Sequence, residues 1–483
     1  MQEISSTPVD TIIANSLEGF AYLQQLSRQE RAKLMYTIAS EIEALGEELI
    51  QTAHQETNLP IPRLNGEKLR TINQWKLYAD VVDSGVLVDA RIDNGEGRSD
   101  IRKCNVGIGT VVVFGASNFP FAFSTAGGDT ASAIGAGCPV VYKEHSAHPQ
   151  TSRIMAQAIQ AGLKKFGAPA SVFGYVSGRA HEVGEALATN PIVKALAFTG
   201  SLQGGMALHR LGSTRKEPIP VFAEMGSLNP VIALEEYIRT NKEAFAKEYV
   251  GSLTLGTGQF CTNPGLLILI KGEESTALQT LLHTEIQQAK VGHMLHPGIR
   301  ASYDKSLTTL DAEADVSCVG SSIAEDGTPV AAIYKATGQQ FLANEILGEE
   351  VFGPCGLVIE CADAEEVAQV LTHLGGQLTI TFAATKSDVQ AHLPLFDIAK
   401  EKCGRLLFNG MPTGVEVVYA MQHGGAYPAS TDSRFTSVGP DSMKRFLRPL
   451  AFQNWPDELL PVELQDANPT KIERIVNNQR VLS

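Results

Sequence analysis

TVVVFGASNFPFAFSTAGGDTASAIGAGCPVVYK (110–143) decides the fold. It opens on a short β-rich run, Thr110–Ala116, and closes on another, Pro139–Lys143. Between them 121–136 reads as helix. Strand, helix and strand at this interval form a βαβ unit, which requires parallel strands with helices over the faces. Outward from it, ASVFGYV (170–176) and VKALAFTG (193–200) extend the run of strands, with helices expected at 149–165, 181–189 and 202–212. Ligands bind at the carboxyl ends of the strands in such a sheet, so the residues that follow each strand carry the functional information.

On the amino-terminal side, Leu34, Ile38, Ile42, Leu45 and Leu49 recur at three- and four-residue spacing, giving an amphipathic helix over 27–56. A second helix covers 64–82. Beyond 226 a second alternation appears: helices at 241–254, 276–290 and 364–373, and strands at 264–270, 355–360, 377–383 and 405–409. The fold expected is α/β, with two α/β domains built on parallel sheets. RIDNGEGRSDIRKCNV (91–106) reads as a hairpin turning at Asn94-Gly95, and the Pro- and Asn-rich tail 445–483 as an extended arm. Both are candidates for contacts between subunits.

The 483 residues exceed one core and carry a net charge of −14. That surface repels nucleic acid and anionic membranes. No apolar run approaches the ~20 residues that span a bilayer, and the amino terminus has no signal-peptide pattern. The seven cysteines are scattered without a C-x-x-C pair, a pattern of free thiols in a reducing compartment rather than of structural metal. The expectation is a cytoplasmic protein with no metal site.

Several strand ends bear reactive side chains. Cys261, in GTGQFCTNPG (256–265), stands on a glycine-rich loop before a strand, where a nucleophile is displayed rather than packed. Taken alone it could equally be a small core residue. Glu224 follows the apolar strand Val221-Phe222-Ala223 and is either a solvated strand end or a general base with a raised pKa. Asn118 is a turn residue before Pro120-containing FPF or a donor to a developing oxyanion. Lys143 ends its strand on the ligand-binding edge. Gly200-Ser201 stands at a strand-to-helix turn, where Ser201 can cap a phosphate-attracting helix terminus. G-x-G-x-x-G is absent. Glu349-Glu350 leads into a turn at Val351-Phe352-Gly353-Pro354.

In order and spacing, SNFP, the strand-ending lysine, FTGS, AEMG, GQFC and EEVFGP resemble the aldehyde dehydrogenase superfamily along nearly the whole chain. The resemblance implies a nucleophilic Cys261, a general base in Glu224 and an oxyanion hole made by the Asn118 amide with the Cys261 backbone N–H. It places Glu350 on the nicotinamide ribose, Phe352 against the nicotinamide, and Lys143, Thr199, Gly200 and Ser201 on the rest of NAD or NADP. It also implies a dinucleotide-binding domain (1–88 and 107–225), a catalytic domain (226–430), and bridging segments (89–106 and 431–483) with a hairpin and C-terminal strand that drive a homodimer or homotetramer. Where the family has a glutamate on the adenosine ribose, this chain has Ser146. With Lys143 and Arg179 nearby, that favours NADP.

The segment 408–439 resembles the branch of α-ketoglutarate semialdehyde (2,5-dioxovalerate) dehydrogenases. An anionic substrate end needs a cation, and Arg434 is the candidate. An NADP-dependent long-chain or broad-range aldehyde dehydrogenase is the alternative. A CoA-acylating enzyme is disfavoured by Glu224, and non-enzymatic reuse of the fold by the intact Cys261, Glu224 and Asn118.

Overall fold

The computed structural model describes residues 8–178, 181–325 and 327–482. Three sheets organise the chain. The first has five strands in the order Phe173–Val176, Val140–Lys143, Thr110–Phe114, Val193–Thr199 and Val221–Glu224, and all its pairs are parallel. The chain starts at the central strand, builds outward to one side, then returns to build the other. A crevice therefore opens at the carboxyl ends where the two directions part.

The second sheet has seven strands, ordered Ser317–Ser321, Ala332–Thr337, Cys355–Cys361, Leu266–Ile270, Val231–Ala233, Gln377–Ala383 and Cys403–Phe408. Only the first of these runs antiparallel to its neighbour. Val111, Val112 and Val113, and likewise Leu266 to Leu269, are almost wholly shielded from water. These strands have no polar alternation because helices cover both faces.

The third sheet holds the expected hairpin and arm, although the hairpin turns through 94–100 rather than at Asn94-Gly95. Arg91–Asp93 pairs antiparallel with Ile101–Gly107, which pairs in turn with Leu447–Gln453, and Arg474–Val476 and Gln479–Val481 complete it. Arg102 is its buried knot, bridging Asp100 and Asp457 at 2.8 Å each and Asp466 at 3.0 Å.

Local chemistry moved some boundaries. The single helix expected over 27–56 is two, Arg28–Ala44 and Glu47–Thr57, parted at Leu45-Gly46. Ser27 and Glu30 form a capping box at the first. The helix expected over 121–136 is only Gly128–Gly135. Phe121 to Gly127 instead turn tightly, because the buried Glu67 carboxylate accepts the Phe121 and Ala122 amides at 2.8 and 2.9 Å. Strands 231–233 and 332–337 and the helix Pro297–Ala312 complete the second unit. Among the described residues no helix is long and apolar enough to cross a membrane.

Candidate active site

The carboxyl ends of the first sheet open on a cleft of about 500 Å³. Cys261, Glu224 and Asn118 line it together, as do Lys143, Thr199, Gly200, Ser201, Glu350 and Phe352. Residues spread over 235 positions of sequence thus face one space. Ser146 is exposed, three positions beyond Lys143. Arg179 lies outside the described residues.

The nucleophile loop is held by its backbone. Gly256, Thr257 and Gly258 adopt positive φ of 55°, 59° and 66°. A side chain at Gly258 would run into the Gly353 carbonyl, so the loop depends on that glycine. Thr257 tolerates the left-handed region because its surroundings hold it there. Asn229 is the main clamp. Fully buried and itself at φ 47°, its side-chain amide donates to the carbonyls of Cys261 and Asn263 at 2.9 Å each and to that of Ser227 at 3.1 Å. The Gln377 side-chain oxygen accepts the Leu228 and Asn229 amides at 2.8 and 3.1 Å, tying this clamp to the second sheet. Cys261 is left half-buried at the cleft floor with its backbone fixed.

Around its sulfur stand two further groups. His423 Nε2 is 3.4 Å from Cys261 Sγ and 2.8 Å from Glu224 Oε1. Glu224 Oε1 is buried, with the His423 ring as its close neighbour. Glu224 Oε2 accepts from the Ser437 hydroxyl. Burial raises the proton affinity of Glu224, but the His423 ring and the bonds from His423 and Ser437 outweigh it, so the carboxyl is held below its ordinary range. The raised pKa expected for Glu224 is therefore corrected. The sequence showed the apolar strand that desolvates it but not the two donors. Burial, then the Glu224 charge, push the Cys261 thiol well above its ordinary value.

His423 and Ser437 were not among the sequence candidates. Both belong to the segment that follows the second sheet, which is stitched across the end of the first: Met225 donates to the Ala429 carbonyl at 2.8 Å and Thr431 to that of Ala223 at 3.1 Å. The available signal was His423-Gly424-Gly425. Side chains at these glycines would strike the Phe435 and Gln377 carbonyls, so a histidine followed by two obligate close approaches marks a tightly seated element.

Arg434 is a correction. Its side chain is 78% exposed and paired with Asp432 two residues away, on the outer side of this same segment rather than in the cleft. A cation next to an acidic neighbour in a surface turn satisfies itself locally.

Asn118 is buried and donates one amide hydrogen to the Gln259 carbonyl at 3.1 Å, which orients the other. The far side of the cleft is built from a helix amino terminus and glycines. The helix Leu202–Ser213 begins there, with Ser201 accepting from the Gly204 N–H at 3.2 Å. Gly200 and Gly204 leave room that a Cβ would fill against Phe198, and a Cβ on Gly226 would collide with the Glu350 carboxylate. Among the described residues the one cluster of metal-ligand type is Glu224, Cys261 and His423 itself.

The chain matches the model of the aldehyde dehydrogenase family over residues 1–426. It is 46% identical over 453 residues to alpha-ketoglutaric semialdehyde dehydrogenase 2 of Azospirillum brasilense, covering 92% of this chain and 86% of that protein. It is 42% identical over 478 residues to alpha-ketoglutaric semialdehyde dehydrogenase of Acinetobacter baylyi, covering 97% and 90%. Among solved structures it resembles an NAD-dependent aldehyde dehydrogenase from Sinorhizobium meliloti (TM-score 0.77, 22% identity, 93% of this chain and 87% of that one). It also resembles the glyceraldehyde-3-phosphate dehydrogenase GapN of Methanocaldococcus jannaschii in complex with NADP (TM-score 0.78, 18% identity, 92% and 93%). The chain belongs to the aldehyde dehydrogenase family, whose members are NAD(P)-dependent oxidoreductases.

Proposed function

We propose that the chain oxidises α-ketoglutaric semialdehyde (2,5-dioxovalerate) to the dicarboxylate through a thioester on Cys261. The observation that carries the chemistry is the contact of Cys261 Sγ, His423 Nε2 and Glu224 Oε1 at the floor of the cleft. The names of the two relatives above 40% identity support the substrate.

His423 Nε2 accepts the thiol proton as Sγ attacks the aldehyde carbon. The free amide hydrogen of Asn118 and the Cys261 backbone N–H receive the developing oxyanion. Lys143, Thr199, Gly200, Ser201, Glu350 and Phe352 would hold NAD(P), which would supply the hydride acceptor. The thioester that remains is attacked by water whose proton passes to the Glu224 carboxylate, releasing the carboxylate and the thiol. The same reading takes NADP as the preferred cofactor, a cytoplasmic location, and a homodimer or homotetramer formed through the third sheet.

The test is a panel of 2,5-dioxovalerate, succinate semialdehyde, hexanal and decanal, each with NAD and with NADP. The reading expects the highest kcat/KM for 2,5-dioxovalerate. Decanal or hexanal ahead of both oxo-acids overturns it in favour of a broad-range enzyme.

A further inference from the structure

Arg63, Glu67 and Arg70 occupy positions i, i+4 and i+7 of the helix Ile61–Ser84 and so share one face. That face leans on the aromatic rings beside the catalytic residues. The Arg63 guanidinium is 4.9 Å from the Phe119 ring and 4.8 Å from Phe260, the neighbours in sequence of Asn118 and Cys261. The Arg70 guanidinium is 5.1 Å from the Phe123 ring, which lines the cleft and stands 6.3 Å from the His423 ring.

Both cations are short of partners. Arg63 gives one Nη2 bond to the Asn118 carbonyl at 2.8 Å, and Arg70 a long one to the Val415 carbonyl at 3.4 Å. The Nη1 atom of each is buried without a hydrogen-bond partner. Among the described residues neither lies within ion-pair distance of a carboxylate. Glu67, the carboxylate between them, spends one oxygen on the Phe121 and Ala122 amides. A guanidinium nitrogen kept out of water with its bond unmade is costly unless an acceptor completes it.

We propose that the unpartnered Nη1 atoms of Arg63 and Arg70 form the anion subsite that receives the carboxylate of an oxo-acid aldehyde while its far end reaches Cys261. Arg70, the more weakly held, is the principal contact, and Arg63 adds charge while bracing Asn118. This takes the place of Arg434 and rests on the substrate reading above. The Phe119, Phe123 and Phe260 rings supply apolar walls for the methylene chain between the two ends.

The experiment compares wild type, Arg70→Gln and Arg70→Lys on 2,5-dioxovalerate and on hexanal, together with inhibition by glutarate. In wild type, glutarate should compete with the aldehyde. Arg70→Gln should lower the ratio of kcat/KM for 2,5-dioxovalerate over hexanal about ten- to hundredfold, carried by KM, and Arg70→Lys should restore part of it. A wild type that does not favour 2,5-dioxovalerate defeats the substrate reading. A wild type that does, with the ratio in Arg70→Gln kept within twofold, defeats the subsite alone. Should Arg70→Gln not fold, glutarate inhibition of Arg70→Lys decides: a Ki raised at least fivefold supports the subsite, and an unchanged Ki overturns it.

Discussion

His423 Nε2 stands 2.8 Å from Glu224 Oε1, and the same nitrogen meets the Cys261 sulfur at 3.4 Å. In a linear triad the imidazole uses one nitrogen for the nucleophile and the other for the acid. Here a single nitrogen serves both, so the three groups form a triangle around one proton rather than a relay. Replacing His423 by Ala should therefore lower kcat/KM about a hundredfold while dinucleotide binding, followed by fluorescence, persists. A loss under threefold would leave the ring a packing element.

The Cys261 thiol lies above its ordinary pKa through burial and through the Glu224 charge. A raised acid pKa means less thiolate at a given pH, so alkylation of the free enzyme by iodoacetamide should climb steadily from pH 6 to 9 without a plateau. Glu224→Gln removes the anion, lowers that pKa and should speed alkylation at pH 7.5. In turnover the same variant should give a burst of reduced cofactor followed by a slow steady state, because the deacylating base is gone. Slower alkylation in Glu224→Gln would show instead that the carboxylate helps to ionise the thiol.

Asn229 illustrates what the chain order could not disclose. Cys261, Glu224 and Asn118 were legible because each follows an apolar strand or sits in a glycine-framed loop, and the parallel-sheet rule sends such residues to one edge. Asn229 is a lone asparagine between Leu228 and Pro230, and its partners lie up to 34 residues on at Asn263 and 150 residues on at Thr379. His423 and Ser437 sit in a segment without helical or strand periodicity, and its path across the sheet end is set by backbone bonds to Ala223 and Met225. Arg434 was misplaced for the same reason: without that path, which side of the segment faces the cleft cannot be read.

Asn229→Ala would remove donors from three carbonyls and the acceptor used by Thr379, and would force alanine into a left-handed backbone. A destabilisation of about 3 kcal/mol is expected, seen as a lower midpoint in urea. Because the loop it clamps carries Cys261, kcat should fall further than the folded fraction does. A variant with wild-type kcat per folded molecule would show that Cys261 is positioned without it.

Cofactor choice is the last expectation. A glutamate near the adenosine ribose accepts its hydroxyls and repels a 2′-phosphate. The family resemblance assigns that place to Ser146, which is exposed, with the half-buried Lys143 three residues before it on the cleft edge. Glu144, the carboxylate next to Lys143 in sequence, is buried and takes the Tyr175 hydroxyl at 2.5 Å, so part of its acceptor capacity is turned inward. His145 next to it is kept neutral, its pKa lowered to about 3 by burial and by the cationic and histidine neighbours His148, Lys143 and His296. It therefore adds no charge, and Lys143 is the cation this strand end offers a phosphate. Ser146→Glu should lower kcat/KM with NADP at least tenfold, about 1.4 kcal/mol, and leave NAD within threefold. Lys143→Gln should weaken NADP more than NAD, since a phosphate gains more from the ammonium than a ribose hydroxyl does. NADP activity that survives Ser146→Glu would place the adenosine end elsewhere in the cleft.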